Sequence, residues 1–108
     1  MITLRRPVVK RCPYKDEADA GELVITLPGD APELHQLGED IDALCGKAVT
    51  HEDFTRAVHA LLTDGARVTT SWHTGPWSVE VAEGCGEVMR RADLLREPEY
   101  GTSAGGDA

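Results

Sequence analysis

Apolar spacing changes period twice along this chain, and the order of those changes constrains the fold more than any single residue. Glu22-Leu23-Val24-Ile25-Thr26-Leu27 is a β-branched run bounded by Gly21 and Pro28-Gly29, which reads as a strand. Leu34, Leu37, Ile41 and Leu44 then recur at helical spacing, and so do Phe54, Ala57, Val58, Leu61 and Leu62. Strand character returns over 67–72. Trp77-Ser78-Val79-Glu80-Val81 alternates apolar and polar after the turn signal Thr74-Gly75-Pro76. Upstream, Val8 and Val9 favour an extended strand over 3–11. The predicted order is ββααββ, an α+β layer with two helices on one face of an antiparallel sheet.

Local signals set the predicted boundaries. Pro13 cannot donate to a ladder, so Cys12-Pro13 starts a polar loop. Asp30 is the expected cap of the first helix, with Glu33 as the return half of a capping box. Gly46 stops that helix. Thr50 caps the second, with Asp53 at its third position, and Asp64-Gly65 ends it. A short helix over 87–95 is expected, within one domain over 1–97 and ahead of a disordered tail over 98–108. With 108 residues the core is modest. Phe54, Trp72, Trp77, Tyr14 and Tyr100 are its only aromatics, so Leu, Val, Ile and Ala must carry that core. Such a thin domain gains stability from oligomerisation.

A formal net charge of −8 opposes unaided phosphate binding. Arg5, Arg6, Lys10, Arg11 and Lys15 nevertheless cluster near the N-terminus, and Arg90, Arg91 and Arg96 near the other end. They read either as solvated edges or as a positive field around Cys12. Cys12, Cys45 and Cys85 form no C-x-x-C pair, and Met1-Ile2-Thr3-Leu4 runs into Arg5-Arg6 without a signal-peptide pattern. A cytoplasmic location with reduced thiols is therefore expected. No apolar run approaches the ~18 residues of a membrane helix.

Cys12 is the first candidate for chemistry. It ends a strand among Lys10, Arg11 and Lys15, and neighbouring cations favour the nucleophilic thiolate. Cys45 closes an apolar stripe and reads as core. Asp19 taken alone is a solvated turn residue beside Asp16 and Glu17. Its position just ahead of the second strand brings it back to the end of the first, where a carboxylate can shuttle protons. Glu52 suits a helix N-terminus on dipole grounds. It also suits guanine-like rings, whose two adjacent N–H donors pair with one carboxylate, with His51 adding a hydrogen bond. His35, His51, His59 and His73 show no metal-ligand spacing, and no glycine-rich phosphate loop is present.

Cys12-Pro13, Asp19 seven positions on, an apolar strand, two helices, His51-Glu52 and a final hairpin together resemble the 7-cyano-7-deazaguanine reductase family of the tunnelling fold. The likeness is strongest to its short branch, the amidinotransferases of archaeosine synthesis. It implies a tunnelling fold, ββααββ sheets joined into an oligomeric barrel, and sites where subunits meet. By this resemblance Cys12 adds to the nitrile carbon to give a covalent thioimide and Asp19 donates the proton. Glu52 would grip the deazaguanine edge with His51 beside it, and the substrate would be 7-cyano-7-deazaguanine, free or in nucleic acid. Reductase members use NADPH and carry a Glu-Ser-Lys-Ser-Leu-Lys segment ahead of the His-Glu. Nothing in 28–44 matches it, so the resemblance implies no nicotinamide cofactor, with ammonia displacing the thiol to leave an amidine. An oligomer would assemble any basic groove for tRNA or DNA from its Arg5-Arg6-Lys10 edges. The alternatives are an NADPH-dependent reductase giving the aminomethyl product, and a noncatalytic module binding purine-like or pterin-like rings.

Overall fold

The computed structural model describes residues 1–84. Its elements are β1 (Ile2–Arg11), β2 (Ala18–Leu27), α1 (Leu34–Cys45), α2 (His51–His59), β3 (Arg67–Thr74) and β4 (Trp77–Glu83). This is the ββααββ order that the apolar pattern predicts. The helix expected over 87–95, the tail over 98–108 and Cys85 lie outside the described residues. The four strands form one antiparallel sheet in sequence order, β1-β2-β3-β4.

Strand alternation divides the sheet into a covered and an open face. Across the covered face run the rows Leu4–Ile25–Val68, Arg6–Leu23–Thr70–Val81 and Val8–Gly21–Trp72–Val79. The helices lie over these rows and contribute buried Leu37 and Ile41 from α1, and Phe54 and Val58 from α2. Those side chains join Val8, Leu23, Ile25, Leu27, Val68 and Trp72 in one apolar cluster. Each fully buried large side chain contributes about 1.5–3 kcal/mol. Trp72 is core at 1% exposure, whereas Trp77 stands 70% exposed.

Gly21 explains how an indole fits at the sheet's surface. A Cβ on Gly21 would lie 2.5 Å from Trp72 Cε3 and 2.5 Å from the Ser71 carbonyl oxygen. The absent side chain lets the ring lie across β2.

Three boundaries differ from expectation by more than two residues. Helix α1 starts at Leu34, and its cap is Glu33, whose carboxylate accepts from the Gln36 N–H (2.8 Å) and the His35 N–H (3.1 Å). Asp30 is not the cap. Pro32 keeps Ala31 out of helical backbone, so the helix cannot begin before it. Strand β2 begins at Ala18, four residues ahead of its apolar run, which puts Asp19 inside the strand opposite Lys10. Cross-strand pairing overrides the poor strand propensity of that acidic stretch. Helix α2 closes at His59, before Leu61, which is 41% exposed. The Thr50 cap is as expected: its hydroxyl accepts from the Asp53 N–H at 3.0 Å. Gly75 at φ +58 followed by Pro76 makes the two-residue turn between β3 and β4.

Candidate active site

Two backbone ties assemble the site. The Cys12 N–H donates to the Glu17 carbonyl at 3.0 Å and closes the β1–β2 loop. The end of β1 also pairs sideways with the segment ahead of α2. The Arg11 N–H donates to the Lys47 carbonyl (3.2 Å), and the Val49 N–H donates to the Arg11 carbonyl (3.3 Å). This parallel bridge between Arg11 and Ala48 sets the first turn of α2 beside Cys12.

The result is one cleft of about 650 Å³. Cys12, Asp19, His51 and Glu52 all line it, together with exposed Tyr14 and Trp77 at β1–β2 and β4. The structure thus brings all four predicted residues to a single cavity. Glu52 is exposed in the first helical turn and makes no hydrogen bond or ion pair among the described residues. Its carboxylate is therefore available to a ligand.

Asp19 differs from the solvated acid that its neighbours suggest. Its Oδ2 accepts from Lys10 Nζ at 2.8 Å, and the two side chains are 13% and 1% exposed. Its other oxygen has no hydrogen-bond partner among the described residues. Lys10 accordingly is not a solvated edge. Its ammonium also lies 5.0 Å from the centre of the Trp72 ring, a cation–π contact. Two other cations of the N-terminal cluster are engaged as well: Arg6 with Asp42 at 2.8 Å and Arg11 with Asp16 at 2.7 Å. Lys10 therefore does not belong to an exposed edge with Arg5 and Arg6. Strand alternation sends Lys10 inward beneath the cleft and leaves Arg5 outside.

His51 is held flat against Trp72, with ring centres 4.8 Å apart and planes 9° from parallel. Its Nε2 is 3.1 Å from Thr74 Oγ1, and its Nδ1 is buried without a partner. Burial lowers the affinity of this imidazole for a proton, and the nearby Lys10 ammonium adds to the effect, against a smaller opposite pull from Asp19 and Glu52. A neutral ring with its proton on Nε2, donated to Thr74, leaves Nδ1 as a bare lone pair, which suits the geometry better than an orphaned N–H.

A directed chain of hydrogen bonds fixes the helix to the sheet beneath these residues. Trp72 Nε1–H donates to Thr70 Oγ1 (2.8 Å), the Thr70 and Thr55 hydroxyls are 2.6 Å apart, and Thr55 donates to the His51 carbonyl (2.8 Å). Since Thr55 spends its proton on His51, Thr70 supplies the proton between the two hydroxyls, and every member is satisfied. Sequence reasoning missed Lys10, Thr55 and Thr70. Period-two alternation with Val8 was the available signal for Lys10. The threonines carried none.

No protein-family profile matches this sequence, and no curated protein does. Among solved structures, the fold is similar to that of an archaeosine synthase QueF-Like in its apo form. The two agree with a TM-score of 0.67 at 17% identity, over 76% of this chain and 89% of that one. The likeness shows a shared fold. The four-stranded antiparallel sheet with its two helices is the tunnelling fold. No helix among the described residues is long and apolar enough to cross a membrane.

Proposed function

We propose that this protein modifies a 7-deazaguanine at its nitrile, with Cys12 as the nucleophile. The observation that carries the reading is that Cys12, Asp19, His51 and Glu52, drawn from the end of β1, from β2 and from the start of α2, line one cleft. The fold's likeness to an archaeosine synthase supports the same substrate class.

In this reading Glu52 accepts the two adjacent N–H groups of the deazaguanine edge and so orients the ring. The Cys12 sulfur forms a bond to the nitrile carbon. One π pair of the C≡N bond moves to nitrogen, and that nitrogen takes up the proton the thiol gave away, relayed by Asp19. Ammonia then adds to the thioimide carbon, the C–S bond breaks, and the thiol is restored. The sum is nitrile plus ammonia giving amidine, with no change of oxidation state and no nicotinamide. His51, neutral and stacked on Trp72, borders the cleft as a hydrogen-bonding wall. The substrate is 7-cyano-7-deazaguanine, free or in nucleic acid. The working form is a homo-oligomer that completes the cleft.

Mass spectrometry of the protein mixed with 7-cyano-7-deazaguanine tests this directly. Wild type is expected to gain the mass of the whole ligand, and Cys12→Ala is expected to gain nothing. Wild type without the adduct, or Cys12→Ala with it, overturns the reading. Falling NADPH absorbance in the same mixture would replace amidine formation by reduction.

A further inference from the structure

Lys10 is the least expected side chain in the molecule. It is 1% exposed on the covered face of β1, two residues after Val8, in a place that an apolar residue would fill more cheaply. Removing an ammonium from water costs free energy that one ion pair returns only in part, so its retention there points to function rather than stability. Lys10 touches both halves of the site. Its Nζ donates to Asp19 at 2.8 Å and lies 5.0 Å from the Trp72 ring, and that same ring carries His51 at 4.8 Å. An ammonium has three donors, and one is committed to Asp19. Asp19 in turn is held through Oδ2 alone.

We propose that Lys10 is a positioning residue for the reaction at Cys12. It pins Asp19 by one oxygen, so that the other serves the reacting nitrogen, and through Trp72 it fixes where Asp19 stands relative to His51. This rests on the nitrile chemistry proposed above, and it adds a residue that neither Cys12-Pro13 nor His51-Glu52 would single out. Lys10 lines the cleft beside Asp19, and the part proposed for it is to hold that carboxylate. It acts through Asp19.

The charged and titratable groups facing Lys10 set the test. They are Asp19 on β2, His51 at the start of α2 with Glu52 next to it, and Cys12 in the same cleft. The rate of adduct formation is measured against ligand concentration and pH for wild type, Lys10→Met and Lys10→Arg, with thermal unfolding of each. Lys10→Met is expected to lower the maximal rate by about 10²-fold and to change the shape of its pH profile. Its half-saturating ligand concentration, set by Glu52, is expected to stay near that of wild type. Lys10→Arg restores a cation and brings the profile back toward wild type. Lys10→Leu, which likewise removes both the donor and the charge, carries the same test should Lys10→Met not fold. An unchanged rate and profile in the folded neutral variant overturns the role of Lys10 while leaving Cys12 chemistry intact. A profile that Lys10→Arg does not restore overturns it too. Wild type that forms no adduct overturns both readings together.

Discussion

At one end of the sheet's covered face, Ile25, Leu27 and Val68 belong to an apolar cluster with Ile41 and Val58. At the other end, β1 buries Lys10, β3 buries Thr70 and α2 buries Thr55. Both ends exclude water, yet only the second is built from groups that must each find a partner. The apolar end needs only shape and volume, and the polar end needs a directed set of donors and acceptors. That contrast separates the part of the molecule that holds the fold from the part that holds the cleft.

Breaking the apolar end should cost most. Ile25→Ala, at a position 2% exposed, is expected to lower stability by about 2–5 kcal/mol, read from the urea midpoint. Adduct formation in the fraction that stays folded should be unaffected. Thr70→Val at the polar end removes no volume but leaves the Trp72 N–H without its acceptor and the Thr55 oxygen without its donor. A loss of about 1–3 kcal/mol is expected, together with impaired adduct formation, because Thr55 and Trp72 both position His51. Equal effects of the two substitutions on the rate would erase the distinction between the ends.

The smallest expected effect is a pH slope. An unfolded histidine titrates near 6.5, and burial holds His51 lower in the folded protein. Between those values the unfolded chain binds more protons, so stability rises with pH. The contribution is complete above the unfolded value and is lost as pH falls through the folded one. Thermal midpoints should therefore drop on acidification from about pH 7.5 to about pH 5.5, and His51→Gln should flatten that part of the decline. A slope that His51→Gln leaves unchanged would show that other groups set it.

Sequence pattern recovers the apolar end almost completely. Leu23, Ile25 and Leu27 announce β2, and Leu37 and Ile41 announce α1, because burial against one face imposes a period on the residues that supply it. The lining of the cleft was also legible, through Cys12-Pro13, Asp19 and His51-Glu52. What lay beneath it was not. The cluster of Arg5, Arg6, Lys10, Arg11 and Lys15 reads alike throughout, because composition records a charge but not the side of the strand it occupies. Thr55 and Thr70 sit 15 positions apart and meet only through tertiary packing. The early start of β2 depends on pairing with β1, and no local propensity encodes that.

The stitch between Arg11 and the 47–49 segment bears on how this architecture tolerates change in length. Strand β1 and the approach to α2 are sewn together on the far side of everything that lies between β2 and the end of α1. Extra residues added at 28–33 would thus be taken up in the surface connection ahead of α1, while the spacing from the thiol to the His-Glu pair stayed constant. Such grafts offer a way to vary what the neighbourhood of the cleft recognises without resetting its chemistry.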